Sequence, residues 1–195
     1  TPFVDVPAGV ELVIGVAPST SSSSAEALAE FPVTLEDDET YVAIATGLLG
    51  GSGDQAFQLF PIAEGFAEPG MNEALVRVVH GSPDAPAVDV WVDGAVAISN
   101  LRYGQSSGYA EVPVGMRNIQ VTPAGQSSPV VIEADLNIEE SNDYTVAAVD
   151  MLSNISALVA VDDRAPNTSQ AKVRFLHASP DAPAVDIKLN SGSGP

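Results

Sequence analysis

The sequence predicts an all-β protein: tandem antiparallel β-sandwiches, one complete and one split between the N-terminal and C-terminal segments. Three observations carry this expectation. Apolar and polar residues alternate at period two along most of the chain, the pattern of half-buried strands. Sixteen glycines and fifteen prolines punctuate those runs at short intervals, as turns between many short strands require. The chain also repeats itself, out of phase with its own ends.

The repeat is read first, because missing one misplaces the whole fold. EALVRVVHGSPDAPAVDV at 73–90 matches QAKVRFLHASPDAPAVDI at 170–187, an offset of 97. Pro69 and Pro166, in the preceding linkers, share that offset. FVDVPAG at 3–9 matches YAEVPVG at 109–115, offset 106, and LEDDETYVAIA at 35–45 matches IEESNDYTVAA at 138–148, offset 103. The last match sets Tyr41 on Tyr144. The expected organisation is therefore 1–65 as the second part of a repeat, 66–73 as a linker and 74–163 as a complete repeat. A second linker, 164–170, leads to 171–195, the first strands of a further repeat. Tail and head together make one more domain, short of one strand of about eight residues.

Three arrangements follow. The tail docks on the head of its own chain, on that of a neighbouring chain, or the chain is a window on a longer array. A sheet missing strands has an exposed edge, which a donated strand repairs. Pairing of 171–195 with 1–65 of the same or a neighbouring chain is expected on that ground.

Each strand has its own justification. In ALVRVVH (74–80), Val76, Val78 and His80 share one face while Leu75, Arg77 and Val79 share the other. AVDVWVDG (87–94) sets Val88, Val90 and Val92 on one face and ends in Asp93-Gly94, a hairpin signal. AVAISNLRY (95–103), GYAEVP (108–113), MRNIQVTPAG (116–125), PVVIEADLNI (129–138), YTVAAVDM (144–151) and ISALVAVDD (155–163) complete the repeat. Val-Pro-x-Gly at 112–115 is a turn, with Pro presetting φ and Gly accepting positive φ. The head supplies ELVIGVAP (11–18), ALAEFPVTL (27–35) and YVAIATGL (41–48). AEALAEF at 25–31 has helix-forming letters, but its aligned partner PVVIEAD alternates, so a strand is expected. TSSSSAE at 20–26 reads as a polar hairpin tip.

Charge excludes partners. Asp and Glu number 26 against 7 Lys and Arg, a net −19. That leaves no basic footprint for nucleic acid and sets up repulsion from an anionic membrane. No run approaches the roughly 18 apolar residues of a membrane span. No charged n-region and apolar h-region opens the chain, so it reads as mature or as a fragment. With no cysteine, thiolate chemistry and a disulfide framework are absent.

The repeated phrase, HGSPDAPAVD at 80–89 and HASPDAPAVD at 177–186, holds both histidines. A triad of His80, Ser82 and Asp84 requires a base within reach of the hydroxyl, whereas alternate residues of an extended segment lie about 6–7 Å apart. One histidine and two carboxylates are a poor zinc set, and no calcium loop of the D-x-D-x-D-G type occurs. No catalytic, cofactor-binding or metal residue is therefore assigned, apart from weak surface calcium at Asp37-Asp38-Glu39 or Asp162-Asp163. A structural corner explains the phrase better. Pro83 and Pro86 forbid regular pairing, and Ser82 and Asp84 satisfy stranded backbone groups. His80 ends its strand on the apolar face, and Asp89 points outward or pairs with Arg77. His177, Ser179, Pro180, Asp181, Pro183 and Asp186 repeat the set. Trp91, on the face opposite Val88, Val90 and Val92 and aligned with Lys188, is expected at the surface as a partly covered aromatic, with contact to a glycan or a neighbouring domain as the alternative. Asn154 and Asn167 head candidate glycosylation sequons.

The pattern V-R-x-x-H-x-S-P-D-A-P-x-V-D, followed by Tyr before a V-P-x-G turn, resembles domain-of-unknown-function family 4397. Residues 74–163 match along their length, 1–65 and 171–195 as partial copies. The resemblance implies an immunoglobulin-like or transthyretin-like β-sandwich and an extracellular or cell-surface location, and brings no reaction. The departure is the phase, since this chain starts and ends inside a copy. The function expected is that of a non-enzymatic structural protein. It would be part of a cell-surface filament, stalk or sheath, its partners copies of itself joined head to tail by strand complementation or tandem repetition. The alternative is an adhesin module recognising glycan or protein.

Overall fold

A computed structural model describes residues 3–23, 26–37, 39–63, 70–140, 142–163 and 170–191. Among them no α-helix occurs. The strands in chain order begin β1 (Val4–Pro7), β2 (Glu11–Pro18), β3 (Ala29–Thr34), β4 (Thr40–Thr46), β5 (Gln58–Ala63), β6 (Glu73–His80) and β7 (Val88–Val92). They continue β8 (Ala95–Leu101), β9 (Ser106–Pro113), β10 (Gly115–Pro123), β11 (Ile132–Ile138), β12 (Asp143–Val149), β13 (Ser156–Asp162), β14 (Gln170–His177) and β15 (Val185–Ser191). The chain forms two compact units: a split unit of Thr1–Gly65 with Ala165–Pro195, and a continuous unit, Phe66–Arg164.

The continuous unit has two four-stranded sheets, ordered β13-β12-β6-β9 and β11-β10-β7-β8. Their inward residues, among them Val76, Val78, Val90, Val121, Ile138 and Val146, form one core. The Asp93-Gly94 turn joins β7 to β8 with both residues at positive φ, as a two-residue hairpin of the right twist requires.

The split unit repeats this plan with strands from both ends of the chain. Its sheets are β1-β14-β4-β5 and β15-β2-β3. β14 lies between β1 and β4, and β15 pairs with β2, so the tail fills the head of its own chain. Among the described residues the second sheet has three strands, none of them a counterpart of β8. Tyr41 and Tyr144 do the same job in the two units. Each hydroxyl accepts the amide proton of the residue five before it, Glu36 at 2.9 Å and Glu139 at 3.0 Å.

Several expectations are corrected. The sandwiches are not wholly antiparallel, because β6 runs parallel to β12 and β14 parallel to β4. No hairpin joins these partners, so nothing forces opposite directions. β6 is buried on both faces, Leu75, Arg77 and Val79 included, in keeping with the near-continuous apolar runs of parallel strands. β3 begins at Ala29, inside the predicted 25–31 segment; residues 24 and 25 of that region and of the polar loop lie outside the described residues. β5, QLFPIA, was not expected. Pro61 masks its pattern, and an edge strand tolerates proline.

Candidate functional site

The corner after β6 is held by its own side chains. Gly81 N–H donates to the Ala148 carbonyl at 2.7 Å, which anchors the turn to the end of β12. His80 is fully buried and its Nε2 donates to the Pro86 carbonyl at 2.9 Å. That carbonyl only accepts, so the proton sits on Nε2. The Tyr103 ring stands edge-on to the imidazole, with centroids 6.2 Å apart. Burial lowers the His80 pKa below its ordinary value, outweighing the carbonyl contact that favours the cation. The Ser82 hydroxyl is buried and lies 3.5 Å from Asp84 Oδ1. It is not hydrogen-bonded to the imidazole, so the corner lacks the nucleophile–base contact of acyl-transfer chemistry. Asp84 Oδ1 instead accepts the Leu152 amide proton at 2.7 Å, tying the corner to the loop after β12. Pro83 is buried, and Pro86 is exposed with its carbonyl taken by His80.

The second copy keeps the frame. Ala178 N–H donates to Ala45 at 2.7 Å, and His177 Nε2 meets the Pro183 carbonyl at 3.1 Å. The Leu49 amide lies 3.2 Å from both Asp181 oxygens. The Ser179 hydroxyl donates to the Gly47 carbonyl at 2.6 Å and lies 3.1 Å from Asp181 Oδ1, beside half-buried Pro180. Cover differs between the copies. His177 is exposed, whereas the turn from β8 to β9 closes over His80, with Gly104 N–H donating to the His80 carbonyl at 2.8 Å.

Asp89 departs from expectation. It is neither outward nor paired with Arg77. It is 7% exposed and accepts the amide protons of Asn100 at 2.8 Å and Gly125 at 2.7 Å. A buried carboxylate is stable there because both oxygens are satisfied. Asp186 is exposed. Trp91 is half-buried, its indole N–H donating to Thr122 Oγ1 at 2.9 Å, a partly covered surface aromatic. Asn154 is exposed at the end of a 3-10 turn. Asn167 and Asp38 lie outside the described residues.

A buried polar chain escaped sequence reading. Arg77 is 1% exposed, and its Nε donates to Thr145 Oγ1 at 2.8 Å. Thr145 donates to Asp162 Oδ2 at 2.7 Å, and Tyr109 donates to the same oxygen at 2.8 Å. The Arg77 guanidinium sits 4.7 Å above the Tyr109 ring, a cation–π contact. Burial is the first cause that raises the Tyr109 pKa, so the phenol remains a donor. Asp162 is thus an interior acceptor, unsuited to the surface calcium role. The only signal was an Arg sharing one face of an apolar strand with Leu75 and Val79. Arg174 has its ring partner too, lying 4.1 Å above Phe3, but faces Val42 in register where Arg77 faces Thr145.

Among the described residues no group of three or more His, Cys, Asp or Glu is arranged to hold a metal ion. A family model described as Domain of unknown function (DUF4397) matches residues 74–188, a span that covers most of the continuous unit and runs through β14 into β15. No curated protein matches the chain.

Proposed function

The chain belongs to the DUF4397 family, and from that premise we propose that it is a non-enzymatic structural module of the cell exterior. In this reading it is part of a filament, stalk or sheath whose copies join by β-strand addition. The observation that carries the reading is the edge of β15. Among the described residues β15 pairs with β2 alone, while its counterpart β7 pairs with β10 on one side and β8 on the other. Open edges recruit extended strands. The tail already completes its own head, so in this reading the joint uses the β15 edge, the side on which β7 pairs with β8. Side chains of the two corners that hold backbone rather than face a cleft support a scaffold over a catalyst. The charge of −19 keeps such a module soluble between joints.

The test is sedimentation and negative-stain microscopy of the purified chain over a range of concentrations, with and without a synthetic peptide of residues 95–101. Concentration-dependent oligomers that the peptide disperses are expected. A single monomeric species at every concentration overturns the reading, as do oligomers indifferent to the peptide.

A further inference from the structure

Between the two sheets of the continuous unit lies a cavity of about 160 Å³. All eight strands contribute to its wall, which is aliphatic apart from Asp135. Protein interiors are otherwise close-packed, and an apolar cavity of about 150 Å³ holds one benzene molecule.

The split unit shows what fills the same place there. Leu189 and Val92 are counterparts at the 97-residue offset; they pair with Ile14 and Ile119 respectively. Across the next ladder Ile14 faces Phe31, whereas Ile119 faces Ala134. A phenyl ring of the split unit therefore stands where the continuous unit has a methyl group on the cavity wall. Phe175 and Val78 differ in the same sense at the 97-residue offset. Phe31, Phe57 and Phe175 all pack against the core of the split unit, with the Phe31 and Phe57 rings 6.3 Å apart.

We propose that this cavity is a binding site for a small uncharged apolar molecule about the size of one aromatic ring. Entry is between the sheet edges. Ala97, Ala110, Ala134 and Val159 line the cavity from the four edge strands and are themselves exposed. Among the described residues none lining the cavity carries a positive charge, and the chain carries −19. Both disfavour an anionic guest such as a fatty-acid carboxylate. The guest takes the place of missing side-chain atoms, restoring dispersion contacts that the lining otherwise lacks.

The test titrates the whole chain with toluene and, separately, octanoate, following the ¹³C-methyl resonances of Ala134, Val146 and Ala148. Toluene is expected to shift all three saturably, and octanoate to bind more weakly. Ala134→Phe, which installs the residue of the other unit, is expected to abolish the toluene response while Trp91 fluorescence reports a folded unit. Phe31→Ala is expected to create a toluene response at the Ile14 methyls. Methyls that do not move up to the solubility limit of toluene overturn the proposal, as does octanoate binding as tightly as toluene. If Ala134→Phe fails to fold, Ala110→Leu on β9 takes its place, and an undiminished toluene response in that variant is equally fatal.

Discussion

Asp89 and Asp186 occupy the same letter of a phrase printed twice, yet their carboxylates live differently. Asp89 is buried with each oxygen taken by a backbone amide, Asn100 on β8 and Gly125 in the turn after β10. Asp186 is exposed on β15, where among the described residues no counterpart of β8 supplies such an amide. Asp89→Ala is predicted to destabilise the continuous unit by about 3 kcal/mol, the scale of hydrogen bonds to a charged group. Asp186→Ala is predicted to stay within about 0.5 kcal/mol. Urea unfolding followed by Trp91, the single tryptophan, reads the first; amide exchange along β2 reads the second.

His80 makes the continuous unit sensitive to acid. Its folded pKa lies below the ordinary value of 6.5, so the unfolded chain takes up the proton first. The contribution of the neutral ring is fully present above about pH 6.5 and is lost as pH falls toward the folded pKa. Removing acidic repulsion acts in the opposite direction, so a difference between variants is the right measure. The stability gap between the native chain and His80→Gln, taken from Trp91 unfolding at pH 8 and pH 5, is predicted to narrow at the lower pH. A constant gap contradicts the burial of a neutral imidazole.

Thr145 links Arg77 to Asp162, and the split unit carries Val42 at that register position. Thr145→Val keeps the shape, removes the bridging hydroxyl and leaves two buried charged groups each short of a partner. A loss of about 2 kcal/mol is predicted, again by urea unfolding. Tyr109→Phe is predicted to cost about 1–2 kcal/mol, because the ring over Arg77 remains while the hydroxyl's donation to Asp162 and its contact with Thr145 go.

Gly47 has φ +95°, and a Cβ there would collide with the Ala56 carbonyl. Gly47→Ala is predicted to destabilise the split unit by about 1–3 kcal/mol. Thermal melting with amide-exchange readout on β4 distinguishes this from a change in the continuous unit, which should keep its Trp91 transition.

Much of the fold was legible. Period-two alternation located most of the strands, and Asp93-Gly94 and Val-Pro-x-Gly located turns, because both signals are local. The break between β6 and β7 was legible, since Pro83 and Pro86 rule out regular pairing whatever surrounds them. β5 was not, because Pro61 interrupts its pattern. The roles of Arg77, Asp89 and Asp162 were not legible either. Alternation assigns a charged residue to the solvent face, and only a partner distant in sequence reverses that.

The sequence by itself determined the all-β class, the repeat with its phase, and the family, because each is written in local periodicity or in recurrence of the same letters. Tertiary structure decided the rest. It put the tail between β1 and β4 of its own chain and made one Asp an interior acceptor and its copy a surface group. It also left a ring-sized space beside Ala134 where Phe31 fills the other unit. The physical reason is common to all three. Burial and hydrogen-bond partnership depend on which strand arrives alongside, and residues up to 179 apart, as Leu12 and Ser191 are, meet only once the sheets close.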